Sequence, residues 1–194
     1  NTVSATCLEE LQRRSPVPVV GVIQPGARAA TSTTSRNVVG VIGTERTIKS
    51  KAYETAIHGI NDEIQIYSKA CPLFVPLVEE GWLSHEATVL VAKTYLEPLK
   101  KNEIDTLVLA CTHYPLLKPI LRDIMGEEIK LVDSALETAK EVKNILLKLN
   151  LRAKEMIGTY KYFVSDNPDK FTEIGEGFLG CAINPIETID PTGK

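Results

Sequence analysis

The chain has 194 residues, of which 43% are hydrophobic and 24% are charged, a composition typical of a soluble globular protein. The net charge is -3, and lysines and arginines are interspersed with acidic residues, so the sequence provides no basic surface for nucleic acid. No apolar run approaches the roughly 20 residues that cross a bilayer. We therefore expect the chain to have no transmembrane segment and no membrane partner.

The predicted elements alternate short β-branched runs with longer amphipathic stretches, the pattern of βαβ units around a mainly parallel sheet. A first helix is predicted from Ser4 to Arg14, and a buried strand from Val19 to Ile23. Pro25-Gly26 begins an alanine-rich helix, because proline is tolerated in a first helical turn. The next strand is predicted from Asn37 to Ile42.

The middle of the chain continues this alternation. A helical pattern runs from Ile48 to Ile60, and a strand pattern from Glu63 to Tyr67. Ser84 is the predicted cap of a helix that ends at Lys100. The run from Ile104 to Ala110 is the most convincing central strand of the sheet.

The last third of the chain adds further elements of both kinds. Pro115 begins a helix, and a short strand from Ile129 to Val132 precedes a long helix from Ser134 to Leu149. The remaining elements are two strands flanking a short helix: Tyr160 to Val164, Ile186 to Ile189, and the helix Asp169 to Phe178.

The segment Cys111-Thr112-His113-Tyr114-Pro115 directly follows the predicted central strand. Ligands of open α/β sheets bind at this carboxyl end of the strands. The helix that begins at Pro115 places backbone N–H groups where they stabilise a thiolate. His113 can act as base or acid, because histidine exchanges protons near neutral pH. The alternative is a structural cysteine beside a capping histidine, which the polar neighbours and the proline disfavour.

The other cysteines and histidines lack such surroundings. Cys7, Cys71 and Cys181 are predicted to be structural and to behave as small hydrophobic side chains. The four cysteines do not have the spacing of a zinc site, and we interpret them as reduced thiols of a cytoplasmic chain. His58 and His85 are predicted to be solvated surface groups.

Two further segments carry polar side chains near predicted strand ends. Thr44 or Thr47 could present a hydroxyl to an anionic substrate group, although helix capping is the favoured interpretation of the residues alone. Glu79 and Glu80 are adjacent carboxylates, usually found at the surface, and their spacing selects neither of them.

Together these segments resemble the glutamate racemases of bacterial cell-wall synthesis over nearly the whole chain. Asn1-Thr2-Val3-Ser4-Ala5 resembles the family motif Cys-Asn-Thr-Ala-Ser-Ala without its cysteine. Pro18 to Ala27 is similar to an interdomain segment of the family. Three further segments match: Gly43-Thr44 together with Thr47, Ser50 and Tyr53; Cys71 to Glu79; and Cys111 to Leu117. At the position of Ala110, just before the last segment, the family more often has Gly.

The resemblance implies two facing α/β domains with mainly parallel sheets. The second domain would span residues 24–133, and the first would comprise residues 1–23 and 134–194. Because the sequence begins inside a motif, without an initiator Met or a signal peptide, we expect the chain to be truncated and the first domain to be incomplete.

The resemblance also implies cofactor-independent racemisation of L-glutamate to D-glutamate for peptidoglycan synthesis. Two cysteines would act on opposite faces of the substrate, one removing the α-proton and the other delivering a new one, without pyridoxal phosphate or metal. Cys111 would serve one face, tuned by His113 and Glu79. The residues implied to hold the substrate are Asn1, Thr2, Thr44, Thr112 and His113. Since the other cysteine would precede Asn1, we expect the chain as given to be impaired or inactive.

Two alternatives stay open. The first is an aspartate or related amino-acid racemase of the same superfamily, and the second is a catalytically inactive homologue that keeps the cleft and binds a partner. The expected partner is glutamate, with no nucleic acid. The sequence does not reveal the oligomeric state, so a homodimer also stays open.

Overall fold

A computed structural model of the chain describes residues 1–153 and 158–190. The chain divides into two compact units, Asn1–Asn150 and Leu151–Lys194. The larger unit contains a four-stranded sheet and the smaller unit a two-stranded sheet. Among the described residues, no helix is both long enough and apolar enough to cross a bilayer.

The larger unit has eight helices and four strands among its described residues. Its helices are α1 (Thr2–Arg14), α2 (Ile23–Thr33), α3 (Glu45–Lys49), α4 (Ala52–His58), α5 (Phe74–Glu79), α6 (Glu86–Lys101), α7 (Lys118–Met125) and α8 (Ser134–Lys148), with a 3-10 turn at Tyr114–Leu117. Its strands are β1 (Val38–Gly43), β2 (Gln65–Ala70), β3 (Thr106–Ala110) and β4 (Lys130–Asp133).

The four strands are all parallel and lie in the order β2-β1-β3-β4. Gly43, the last residue of β1, lies opposite Ala70 of β2 and Ala110 of β3. The carboxyl ends of three strands therefore meet at one edge of the sheet. This arrangement confirms the predicted α/β class and the central position of the strand that precedes Cys111.

Both faces of this sheet are covered, as expected for parallel strands. Side chains alternate between the faces along each strand. Ile42 and Leu109 belong to a buried cluster with α5, α6 and α7, while Val41 and Val108 belong to a second cluster with α2 and α4. The core therefore has two layers, one on each face of the sheet, and the strand ends lie between them.

The predicted strand from Val19 to Ile23 is wrong. Residues 18–22 form no strand, and Ile23 is the first residue of α2. A β-branched run becomes a strand only where a neighbouring strand satisfies its backbone groups. Here side chains of α1 do so instead, since the Gln12 amide donates to the Val19 carbonyl at 3.0 Å and the Val22 N–H donates to Ser4 Oγ at 3.2 Å.

Several predicted helices differ in detail from the observed ones. The pattern from Ile48 to Ile60 is divided between α3 and α4, because Lys51 adopts a left-handed conformation with φ of 56°. The predicted cap Ser84 is replaced by His85, whose ring nitrogen accepts from the Ala87 N–H at 3.1 Å. His85 is exposed as predicted, but it has this structural role.

The smaller unit contains β5 (Tyr162–Val164), α9 (Pro168–Leu179) and β6 (Ile186–Thr188). The two strands pair in parallel, as the pattern of two strands around a helix predicts. Ile183 is buried here, and Gly175 of α9 permits its approach, because a Cβ at that position would lie 2.3 Å from Ile183 Cδ1. The domain boundaries near residues 24 and 133 stay a prediction.

Candidate active site

The site lies at the carboxyl edge of the four-stranded sheet, where polar residues directly follow the strands. Thr44 follows β1 and Cys111 follows β3, while the first residues of the chain approach the same edge from α1. Together they surround a cleft of about 240 Å³. The residues that line this cleft are Asn1, Thr2, Thr44, Val75, Ala110, Cys111, Thr112 and His113.

Cys111 is buried, with 6% of its surface exposed, yet it lines the cleft. Burial raises the pKa of its thiol above the ordinary value, because a desolvated thiolate is disfavoured. The backbone N–H groups of His113 and Tyr114 and the hydroxyl of Thr112 act in the opposite direction. The thiol therefore keeps its proton unless a base removes it, and the surrounding donors stabilise the thiolate once it forms.

A suitable base lies two residues away. His113 Nδ1 is 4.0 Å from Cys111 Sγ, and His113 Nε2 is 3.0 Å from Glu79 Oε1. A carboxylate only accepts, so the His113 proton resides on Nε2 and the Nδ1 lone pair faces Cys111 and the Thr112 hydroxyl, which lies at 3.2 Å. Glu79 thus orients the ring as an acceptor for the thiol proton.

The structure therefore distinguishes Glu79 from its neighbour Glu80. Glu79 is the last residue of α5 and its carboxylate reaches His113. Glu79 and His113 are 34 positions apart in the sequence, and only the packing of α5 beside the 3-10 turn brings them together. Cys111, His113 and Glu79, the predicted catalytic residues, thus form one connected group.

Three threonine hydroxyls form a second polar group at the cleft. Thr2, Thr44 and Thr47 lie within 3.0 to 3.2 Å of one another. Thr44 also caps α3 by accepting from the Thr47 N–H at 3.3 Å, so the capping interpretation and the binding interpretation both fit this residue. Each hydroxyl can donate one proton, which suits an anionic group.

The Asn1 side chain is held by two residues that the sequence did not predict as part of a site. The Tyr53 hydroxyl donates to Asn1 Oδ1 at 2.6 Å, and Asn1 Nδ2 donates to Ser134 Oγ at 3.4 Å. Ser134 directly follows β4, so its position after a strand was the available signal. Tyr53 lies inside α4, and its place in the segment that resembles the family, with Thr44 and Thr47, was the available signal.

The remaining cysteines have two different environments. Cys71 is buried, and burial raises the pKa of its thiol to about 12, which supports its predicted structural role. Its carbonyl accepts from the Tyr114 hydroxyl at 2.8 Å. Cys7 and Cys181 are exposed, so their prediction as small hydrophobic side chains is wrong. Their neighbours in sequence do not reveal this, because exposure depends on packing.

Within the described ranges, no three His, Cys, Asp or Glu side chains are grouped so that they could hold a metal ion. The cleft instead combines a thiol, a histidine oriented by a carboxylate, and several hydroxyl and amide groups. This combination defines an α/β protein equipped for acid–base chemistry by cysteine on a small polar substrate.

Comparison with known proteins gives the family. The family model of Asp/Glu/Hydantoin racemases matches residues 1–142, and the chain belongs to this family of isomerases. Among curated relatives, the glutamate racemase of Geobacter metallireducens is 54% identical over 187 residues, covering 96% of this chain and 69% of the relative. The glutamate racemase of Syntrophus aciditrophicus is 47% identical, covering 97% of this chain and 70% of the relative.

Solved structures agree. Glutamate racemase isoform RacE1 from Bacillus anthracis superposes with a TM-score of 0.94 at 37% identity, covering 100% of this chain and 72% of that one. Glutamate racemase from Francisella tularensis in complex with D-glutamate gives a TM-score of 0.89 at 36% identity, covering 97% and 70%. The resemblance to glutamate racemases and the α/β fold are thereby confirmed.

Proposed function

We propose that this chain, in the protein that carries the family's cysteine before Asn1, interconverts L- and D-glutamate, with Cys111 exchanging the α-proton on one face of the substrate. The observation that carries the proposal is the connected group of Cys111, His113 and Glu79 beside the polar cleft. The names of the relatives support glutamate as the substrate, as does the neighbour in complex with D-glutamate. A glutamate molecule is also small enough for a cleft of this kind.

The chemistry requires a strong base, because the α-proton of an amino acid is a very weak acid. His113 Nδ1 takes the thiol proton, and the resulting Cys111 thiolate then removes the α-proton. An S–H bond forms, the Cα–H bond breaks, and the electron pair delocalises into the adjacent carboxylate. Burial that raises the pKa of Cys111 also makes its thiolate more basic.

Inversion requires a proton from the opposite face. In the two-base scheme a second, protonated thiol delivers it, the electron pair returns to Cα, and the two thiols exchange protonation states. By the resemblance this second cysteine would precede Asn1, a residue that lines the cleft. The scheme uses neither pyridoxal phosphate nor metal, and it is balanced because one proton leaves and one arrives.

The substrate must be held so that Cα lies between the two thiols. We assign this function to the polar groups of the cleft, whose N–H and O–H groups would donate to the two carboxylates and whose lone pairs would accept from the ammonium: Asn1, Thr2, Thr44, Thr112 and His113. Their hydrogen bonds within the protein fix them before the substrate arrives, so little reorganisation accompanies the reaction.

The proposed product, D-glutamate, would serve peptidoglycan synthesis and hence the cell wall and cell shape. Catalysis by thiols requires that they stay reduced, which favours the cytoplasm. A homodimer stays a prediction that sedimentation velocity would check.

The test is Cys111→Ser in the protein that carries the family's cysteine before Asn1. Oxygen is a far weaker base here, so we expect incorporation of solvent deuterium into both glutamate enantiomers to fall by at least about 10³-fold. Cys181→Ser, an exposed cysteine, is the matched control and should keep full activity. Undiminished interconversion in Cys111→Ser would refute the mechanism, and preferential turnover of aspartate would change the substrate.

A further inference from the structure

The Asn1 side-chain amide is held from two sides beside the cleft. Tyr53 Oη lies 2.6 Å from Asn1 Oδ1, and Asn1 Nδ2 lies 3.4 Å from Ser134 Oγ. Ser134 Oγ in turn donates to the backbone carbonyl of Leu109, at 3.0 Å, in β3. The four residues form a chain of hydrogen bonds that connects the cleft to the sheet.

The direction of each hydrogen bond follows from the chemistry of its end groups. The Leu109 carbonyl only accepts, so it takes the single proton of the Ser134 hydroxyl, and Ser134 Oγ must accept from Asn1 Nδ2. Burial raises the pKa of the Tyr53 phenol above its ordinary value, although a hydrogen bond with the Ser134 side chain acts in the opposite direction, so the phenol keeps its proton and donates to Asn1 Oδ1. The amide therefore has one orientation, with its oxygen toward Tyr53.

Three helices hold the two partners of the amide in place. Tyr53 belongs to α4 and is 3% exposed, and Ser134 begins α8 after its cap Asp133. Gly26 of α2 lies against both, because a Cβ there would be 3.1 Å from the Tyr53 hydroxyl and 3.4 Å from Ser134 Cβ. A side chain at residue 26 would thus displace the groups that hold Asn1.

We propose that Tyr53 is a positioning residue that directs an N–H of the Asn1 amide to a carboxylate of the substrate. This inference rests on the proposed function, which identifies the carboxylate as one of those of glutamate. With Oδ1 engaged by Tyr53 and one hydrogen of Nδ2 engaged by Ser134, the second hydrogen of Nδ2 is the side-chain donor of Asn1 that is left for the cleft. Without Tyr53 the amide can turn its oxygen toward the carboxylate, and two acceptors repel each other.

The test is Tyr53→Phe, which keeps the buried ring and removes only the hydroxyl. We expect the affinity for D- and L-glutamate, measured by titration calorimetry on the chain, to fall about three- to tenfold, the effect of one hydrogen bond. In the active racemase KM should rise by the same factor while kcat stays within about twofold. Tyr160→Phe, an exposed tyrosine of the smaller unit, should change neither quantity.

A double-mutant cycle distinguishes positioning from a general structural role. Because Tyr53 acts through Asn1, Tyr53→Phe should weaken glutamate binding no further in an Asn1→Ala background. Asn1→Asp keeps an acceptor for Tyr53 but removes the N–H, and should weaken binding more than Asn1→Ala does. Additive effects of the two substitutions, or unchanged affinity in Asn1→Asp, would overturn the proposal.

A readout without substrate separates this inference from the proposed function. The ¹⁵N-labelled side-chain amide of Asn1 should exchange its protons with water faster in Tyr53→Phe than in the unsubstituted chain. Absence of glutamate binding in the unsubstituted chain would refute the proposed function, whereas an unchanged Asn1 amide in Tyr53→Phe would refute the positioning role.

Discussion

Glu79 is the residue whose role depends most clearly on a single contact. Its carboxylate lies 3.0 Å from His113 Nε2 and is partly exposed. The contact fixes which nitrogen of His113 carries the proton, and therefore which nitrogen faces Cys111. Because both oxygens of the carboxylate only accept, this contact allows a single orientation of the ring.

Glu79→Gln tests this interpretation. The amide can present either its oxygen or its nitrogen to His113, so the ring loses its single orientation, and we expect kcat for glutamate to fall about 10- to 100-fold with a smaller change in KM. Steady-state kinetics in both directions measure this. Glu86→Gln, in the exposed first turn of α6, is the matched control. Equal loss in both variants would assign the effect to net charge rather than to orientation.

At the scale of elements, one helix end contains a residue whose backbone conformation costs stability. The helix α6 ends at Lys101, and Glu103 just beyond it has φ of 53°, in the left-handed region that glycine adopts without steric cost. Its N–H donates to the Lys100 carbonyl at 3.1 Å and its carbonyl accepts from the Arg36 guanidinium at 2.9 Å. Both contacts use only backbone atoms of Glu103 and not its side chain.

Glu103→Gly should therefore stabilise the chain, by about 0.5 to 1 kcal/mol, because the backbone contacts persist and the strain of the left-handed conformation is removed. Urea unfolding measures the change. Glu128→Gly, at an exposed residue without positive φ, is the control and should be neutral or slightly destabilising. A loss of stability in Glu103→Gly would show that the side chain contributes more than the strain costs.

At the scale of the whole larger unit, a residue that stabilises the fold and a residue of the candidate site lie at opposite ends of β3. Cys111 follows β3 at its carboxyl end, while Asp105 precedes it, about 20 Å away for six extended residues. Burial acts to raise the pKa of Asp105, but hydrogen bonds from the Thr34 hydroxyl and from the N–H groups of Arg36 and Ser35 lower it to about 2.

Asp105→Asn should lower stability while leaving the catalytic group intact. A carboxyl whose pKa falls from 3.8 to about 2 on folding stabilises the folded state by about 2 kcal/mol above pH 4. This contribution decreases as pH falls from 4 to 2, because the folded carboxyl is then protonated. The difference in unfolding free energy between the variant and the unsubstituted chain should shrink over the same interval.

Urea unfolding from pH 7 to pH 2 checks this expectation, with Asp123→Asn, at an exposed aspartate of α7, as the control. A stability difference that does not depend on pH would mean that the Asp105 side chain acts by packing rather than by charge. In the protein that carries the family's cysteine before Asn1, glutamate turnover at pH 7 should be unchanged by Asp105→Asn, since Asp105 lies at the edge of the sheet opposite the cleft.

The sequence by itself determined the α/β class, the position of β3, and the emergence of Cys111 and His113 at its carboxyl end. These features follow from local patterns, because a short run of apolar residues between polar turns can adopt few structures other than a buried strand. The run from Val19 to Ile23 shows the limit, since strand formation also requires a neighbouring strand, which a local pattern does not contain.

Only the tertiary structure decided which distant side chains complete the site. The resemblance had already implied Glu79, but only the tertiary structure shows its contact with His113. The structure also brought Tyr53 and Ser134 to the two sides of the Asn1 amide. These contacts join residues between 34 and 133 positions apart. Such pairs are set by the packing of helices against a sheet, and no local spacing in the sequence specifies them.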